Sequence, residues 1–466
     1  VSPLRFVDVG GRRVAWRCTG AGPAAVLLHG SPQSSRALNA LGVAVARAGL
    51  TAIMPDTPGA GASAALGDEI SIDDLAEALC AFVDAIGLRR FSLYGSHTGA
   101  ALAVAFAARH PHRVTGLVLD GIAAWTDSER AQYHDHYAPP FLPRWDGAHM
   151  TWLWSRMEAQ SLFFPWHVAS AATWRGVDLS SPAHLHRNAM DMLESGDAYR
   201  AIYRASLAYD PADALTRVGA PMRIMTLATD VLAAHASRPA LRSLLKDLFD
   251  DPPSLHRAVA VALAAWPGDP PPALGPASLF RRGRLNGAGR VLVALHPAGA
   301  SSRVFARRLT EQKRPMIAFD LPGHGFSGGA LPDSVETVAA TVNDACLRLG
   351  VTDYEVCGDG FGAVVARALQ APHTDRAPHP DGVRLAQSGA VSLAPEWDGG
   401  HLLRAWRVAY RMALWSPWYD NTAAAARMPA GDLAPAAIQD AAVDLLRAGA
   451  NWIVANRLEA QADQAG

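Results

Sequence analysis

The chain has 466 residues, half of them hydrophobic, with 42 Lys plus Arg against 43 Asp plus Glu and a formal net charge of −1. That length suggests two or three domains with large buried cores. The balanced, interspersed charge argues against a nucleic-acid or anionic-membrane partner. No apolar run reaches bilayer length, Ala100–Ala108 being far too short, and no basic-then-apolar leader stands at the N-terminus. Cys18, Cys80, Cys346 and Cys357 form no C-x-x-C pair and no metal-type spacing, so free buried thiols in a reducing, cytoplasmic setting are expected. Abundant Ala and Arg with little Lys fits a bacterial, high-GC coding bias. The chain opens on Val1 rather than Met, which fits processing, a fragment or an alternative start codon.

In chain order, Arg5–Trp16 is expected as a hairpin turning at Gly10-Gly11. Val26-Leu27-Leu28 reads as a buried parallel strand, ending in His29-Gly30-Ser31-Pro32. Ile72–Ile86 is amphipathic, with Ser71 as N-cap and Gly87 as the C′ glycine. Leu93-Tyr94-Gly95-Ser96-His97-Thr98-Gly99 then runs from an apolar strand into an Ala-rich helix. The glycines at both ends of that turn relieve Cβ clashes and leave His97 at its apex. Pro221–Leu227 reads as a late strand and Pro253–Trp266 as a final helix. Trp266–Ala288, rich in Pro and Gly, reads as a linker.

Several landmarks then recur in the same order. His29-Gly30 is echoed by His296-Pro297-Ala298-Gly299, and Asp56-x-Pro58-Gly59-x-Gly61-x-Ser63 by Asp320–Ser327. The Gly95–Gly99 turn is echoed by Gly358–Gly362, Trp145-Asp146-Gly147-x-His149 by Trp397-Asp398-Gly399-x-His401, and Phe164-Pro165-Trp166 by Ser416-Pro417-Trp418. We expect an internal duplication: a first copy over 1–266, a linker over 267–288 and a partial second copy over 289–466. The second copy is expected to have almost nothing ahead of its first strand and no counterpart of the late strands. Strands alternating with helices point to an α/β fold with a mostly parallel sheet covered on both faces.

The motifs His29–Pro32, Asp56–Ser63, Gly95–Gly99 and His110-Pro111-His112-Arg113-Val114 resemble those of the α/β-hydrolase superfamily. The resemblance implies that residues from about 125 to 210 form a helical cap over the site. It also makes Gly95–Gly99 a nucleophile elbow with His97 where a serine is usual. Carried over residue by residue, Thr98 and Ser31 would donate backbone N–H groups to an oxyanion beside His29 and Gly30; the alternative for His29-Gly30 is a tight turn. Asp230, after the late strand, is the matching acid, or else a turn residue.

No histidine lies in Leu241–Asp251, and neither His235 nor His256 stands where the family's base would be. His97 is then a general base, a polar binding residue, a covalent nucleophile, or a remnant at an inert apex. Ser96, one residue off the apex, should point elsewhere. In the second copy the apex is Gly360, which carries no functional group, and Asp359 beside it reads as a turn residue; that copy is expected to be non-catalytic. Trp145 and His149 are candidates to line the mouth of the pocket, with Trp154 and Trp166 making the cap aromatic; the alternative is a helix start with Trp145 packed on the core.

The reading is a hydrolase acting on a small apolar ester, amide or lactone, with no metal and no cofactor. The alternatives are a pseudo-hydrolase that binds a small ligand or acts as a scaffold, and a degenerate duplicate whose second half only covers surface of the first. A small molecule is the expected partner; the oligomeric state stays open.

Overall fold

A computed structural model describes residues 2–134, 136–275, 277–369, 391–416, 418–420, 422–426 and 433–465. They fall into two compact units. The first comprises Val1–Leu142, Arg156–Ser180 and Arg187–Pro276; the second comprises Pro143–Ser155, Ser181–His186 and Ala277–Gly466.

The first unit is built on β1 (Leu4–Val9), β2 (Arg12–Gly20), β3 (Ala24–Leu28), β4 (Thr51–Pro55), β5 (Phe91–Ser96), β6 (Val114–Asp120), β7 (Met222–Leu227) and β8 (Leu245–Phe249). They form one sheet in the order β1-β2-β4-β3-β5-β6-β7-β8. Only the pairs β1·β2 and β2·β4 are antiparallel; from β4 onward the neighbours run parallel. The expected hairpin is present, with Gly10 at φ 62° and Gly11 at φ 80°, the pairing that a tight hairpin turn needs. The helix Ile72–Ala85 has the expected N-cap in Ser71, which forms a reciprocal capping box with Asp74. β3, all five residues buried, is covered on one face by Phe82, Leu102 and Phe106 and on the other by Leu41, Val45 and Val259. Burying both faces is why this strand is continuously apolar.

The second unit carries β9 (Arg281–Arg284), β10 (Val291–Leu295), β11 (Met316–Phe319) and β12 (Tyr354–Gly358). Its order is β12-β10-β11-β9, with β9·β11 antiparallel and the other pairs parallel. Read from the β9 edge, this repeats β2-β4-β3-β5 in order and direction. The expected linker 267–288 is therefore structured at both ends. Asp269 is tied to Arg90 and Ala24 through backbone hydrogen bonds of 2.8 and 3.0 Å, and Arg281–Arg284 is an edge strand where none was expected. Its four residues, Arg-Arg-Gly-Arg, carry no apolar signal, because an edge strand needs only backbone pairing.

Between β6 and β7 the chain is helical, as expected, but its middle belongs to the second unit. There the two Trp-Asp-Gly-x-His motifs pack reciprocally. The His149 ring meets Trp406 at 4.5 Å and the His401 ring meets Trp154 at 5.0 Å, both edge to face. A Cβ on Gly147 would lie 2.6 Å from Trp406, and one on Gly399 2.3 Å from Trp154, so both positions require glycine. Asp146 and Asp398 each cap the following helix through a backbone N–H, at 3.0 and 2.9 Å. The helix-start reading of the motif thus matches the geometry, but Trp145 is 68 % exposed rather than packed on the core. The Pro417 landmark lies outside the described residues.

The Asp56 turn shows how the loops around β3 are held. Buried Asp56 accepts from the Ser35 N–H at 2.8 Å and the Ala62 N–H at 2.9 Å, while Gly61, at φ 51°, comes so close that a Cβ would overlap the carboxylate. Asp320 makes the same two bonds, to Ser302 and Phe326. A hydrogen bond to a charged group contributes about 1.5–3 kcal/mol. Asp56→Ala should therefore lower the urea-unfolding free energy of the first unit by more than about 2 kcal/mol, read as a shift in its transition midpoint.

Candidate functional site

The site grows out of the turn between β5 and the helix Thr98–Arg109. A Cβ on Gly95 would sit 2.1 Å from the Gly99 carbonyl, and one on Gly99 would sit 2.4 Å from the Leu28 carbonyl. Both glycines are thus demanded by backbone packing against backbone. Between them His97 adopts φ 51°, ψ −112°, the single positive-φ residue other than glycine among those described. Such a conformation costs a side-chain-bearing residue about 1–3 kcal/mol. The turn is anchored by the His97 N–H donating to the Asp120 carbonyl at 2.8 Å.

His97 Nε2 lies 2.8 Å from Asp230 Oδ2. Asp230, in the turn after β7, also accepts from the Leu232 N–H through Oδ1 at 2.8 Å, which fixes the carboxylate. Nε2 is then the protonated nitrogen and Nδ1 carries the lone pair. Burial opposes charge on both groups, but the attraction and hydrogen bond between them prevail: the imidazole is held above its ordinary value and the carboxyl below its own. Asp120, raised by burial, lies beneath the turn and accepts from the Tyr94 hydroxyl at 2.6 Å. Gly121, at φ 60°, faces the pair so closely that a Cβ would lie 2.7 Å from His97 Nε2 and 3.0 Å from Asp230 Oδ1.

A cavity of about 170 Å³ opens over this pair, lined also by Ser31 and Thr98. Thr98 is the first residue of its helix, so its N–H is one of the end donors that the helix itself leaves unused. The loop bearing Ser31 is held by the Tyr203 hydroxyl, which donates to the Ser31 carbonyl at 2.8 Å. The walls are Trp125, Tyr133, Tyr137, Phe163 and Phe164, with Gln160 and Arg175 as polar groups. Arg175 donates to the Ser161 carbonyl, and its buried Nε has no partner.

Several expected site residues stand elsewhere. Trp145 and His149 do not line this cavity; Trp145 is exposed and His149 is buried in the second unit, pushed down to about 4 by burial. Nor does Trp154 or Trp166 line it: the Trp166 indole donates to the Tyr137 carbonyl from behind the wall. His29 is a structural acceptor, buried, its Nε2 taking the Thr57 N–H at 3.0 Å, while a Cβ on Gly30 would lie 3.2 Å from that of His97. His235 accepts from the Ala124 N–H and is pushed down to about 4 by burial and by Arg238; it stays uncharged and packs edge to face on Trp125. His256 lies in the helix Pro252–Ala264. The wall aromatics escaped the sequence reading, although Tyr133 and Tyr137 are four apart, the spacing of one helical face, and Phe163-Phe164 directly precedes a proline.

Among the described residues no group of three or more His, Cys, Asp or Glu side chains can hold a metal ion, and no helix is long and apolar enough to cross a membrane. The four cysteines are free.

Residues 23–213 match the family model described as alpha/beta hydrolase fold, and the first unit, which holds most of them, has that fold. Among characterised relatives, it is 30 % identical over 118 residues to a pyrrolizixenacetamide deacetylase of Xenorhabdus hominickii, covering 25 % of this chain and 44 % of the relative. It is 42 % identical over 114 residues to the 2-hydroxy-6-oxononadienedioate/2-hydroxy-6-oxononatrienedioate hydrolase of Paraburkholderia phymatum, covering 23 % and 40 %. The chain thus spans less than half the length of these relatives. A solved epoxide hydrolase A from Mycobacterium thermoresistibile is 17 % identical, with a TM-score of 0.47, covering 58 % of this chain and all of that one.

Two measurements check the site. In an NMR titration the His97 imidazole should protonate above the ordinary value of about 6.5, and in Asp230→Asn it should fall below that value, because burial then acts without the carboxylate. Gly121→Ala should separate the pair and move the His97 midpoint down in the same direction, with the fold retained.

Proposed function

We propose that the first unit is a hydrolase of a small, largely apolar ester, amide or lactone, with His97 as general base. The observation that carries this reading is the 2.8 Å bond between His97 Nε2 and Asp230, at the apex facing a largely aromatic cavity. With Nε2 bonded to the carboxylate, Nδ1 takes a proton from a water molecule as that water attacks the substrate carbonyl. Asp230 stabilises the resulting imidazolium. The Thr98 and Ser31 backbone N–H groups receive the developing oxyanion, and the imidazolium returns its proton to the leaving group. Water is the nucleophile because the apex has no serine.

On this reading the helices between β6 and β7 act as a cap, and Gln160 and Arg175 orient the polar end of the substrate. The second unit is a partial duplicate of the first, without catalysis of its own; the repeated strand order and the matching Asp56 and Asp320 turns support this. A cytoplasmic location fits the free thiols.

The test is turnover of short-chain p-nitrophenyl esters and aromatic lactones. His97→Ala should lower kcat/KM by about 10²–10⁴-fold, the usual contribution of a positioned base. The wild-type rate should fall as pH drops through the raised imidazole value, because only neutral His97 accepts a proton. Unchanged turnover in His97→Ala removes the assignment. Saturable binding without turnover by the wild type makes the unit a ligand-binding protein instead.

A further inference from the structure

No step of the reaction proposed above needs a cation, yet one stands on the wall of the cavity over His97: Arg175. Its charge acts on Tyr137 in the aromatic wall and on both members of the polar pair. On His97 that action is adverse, since the guanidinium pulls the imidazole down while Asp230 holds it up. Arg175 does have a structural role. It ties the end of the helix Ala148–Leu162 through Nη1, which donates to the Ser161 carbonyl at 3.1 Å, and through its backbone N–H, which donates to the Leu162 carbonyl at 2.9 Å. The rest of the guanidinium is left unused: the buried Nε has no partner, and no carboxylate among the described residues forms an ion pair with Arg175.

The other groups on the wall do not supply the missing anion. Asp230 is the one carboxylate lining the cavity among the described residues, and both of its oxygens are engaged, by His97 and by the Leu232 N–H. Gln160 presents a donor. Its Oε1 accepts from Arg156 at 3.1 Å, which fixes the amide and leaves the NH₂ group without a partner among the described residues. Arg156 itself is buried and held over the rings of Trp166 and Tyr199, at 4.7 and 5.4 Å, so it is a positioning residue for that amide. A guanidinium and an amide NH₂ thus line one cavity with no acceptor of their own.

A guanidinium with free N–H groups matches a carboxylate in both charge and geometry. We infer that the substrate of this site carries a carboxylate, bound by Arg175 and the Gln160 amide, with its apolar body against Trp125 and Phe164 and its scissile carbonyl over His97. This rests on the hydrolase reading and narrows it, from a largely apolar molecule to the ester, amide or lactone of one that also bears an acid group. The bound anion offsets the pull of Arg175 on the imidazole, so His97 is the stronger base when this substrate is in place. A ligand of the same shape bearing an ammonium group is disfavoured by the same cation.

Affinity and turnover are measured separately. Calorimetric titration of the full chain uses three probes of one shape that offer no bond to hydrolyse: phenylacetate, 1-phenylpropan-2-one and 2-phenylethylamine (protonated). Phenylacetate should bind about tenfold more tightly than the ketone, and the amine more weakly than either. In Arg175→Gln the ratio of acid to ketone affinity should collapse to about one, and Arg175→Lys, which keeps the charge and loses the planar fork, should retain part of it. Turnover of 4-acetoxybenzoate should exceed that of 4-acetoxyacetophenone by a similar factor in kcat/KM. Equal affinity for acid and ketone in the wild type, or a preference that survives Arg175→Gln, overturns the carboxylate site even if both esters are hydrolysed. A preference for phenylacetate that depends on Arg175, with neither ester hydrolysed, upholds the carboxylate site and removes the hydrolase reading instead.

Discussion

The first unit depends on one close approach, that of the helix Thr98–Arg109 to the backbone of the strands before it. Gly95 and Gly99 permit it, and with the helix seated so closely the residue before it, His97, takes a positive φ. That lifts the side chain of His97 clear of the sheet and leaves the Thr98 amide unused by the helix. It also brings the apex beside the turn that follows β7, where Asp230 waits with its carboxylate already fixed by the Leu232 N–H. Helix packing and the geometry of the polar pair thus share a single steric constraint.

Much of this was legible because steric constraints write themselves into residue type. Paired glycines at Gly10-Gly11 and Gly95–Gly99, the Ser71 cap and the apolar run before His29 each have a local cause and each led to the right element. Asp230 was singled out for a different reason: it follows the late strand, where the resemblance to α/β-hydrolases points to an acid, and the structure sets it against His97. What escaped was whatever depends on partners distant in sequence. β9 is a run of Arg and Gly whose strand character exists only through pairing with β11. Trp145 and His149 have the composition of a pocket mouth, yet one is exposed and the other is packed on Trp406. Gly121 gives no local hint that a methyl group there would strike the His97–Asp230 pair.

The second unit shows which parts of the pattern are architectural. It repeats the strand order, the carboxylate that ties two loops, and the histidine below it: His296 Nε2 takes the Leu321 N–H at 2.9 Å, as His29 takes that of Thr57. Since these features recur where the apex carries no functional group, they belong to the scaffold and not to chemistry. His29, which stands next to the proposed oxyanion loop in sequence, is best understood in that light. What the two units do not share is the apex side chain, the Asp230 carboxylate after β7 and the cavity walls.

The apex conformation itself carries a last consequence. At Gly360 the backbone holds its positive φ without strain, so the turn is fully formed with no side chain at all. At His97 the same turn is made with a residue that resists it. A change to glycine there would relieve the backbone. On the proposed function, that strain is what it costs to hold an imidazole at the apex of the turn.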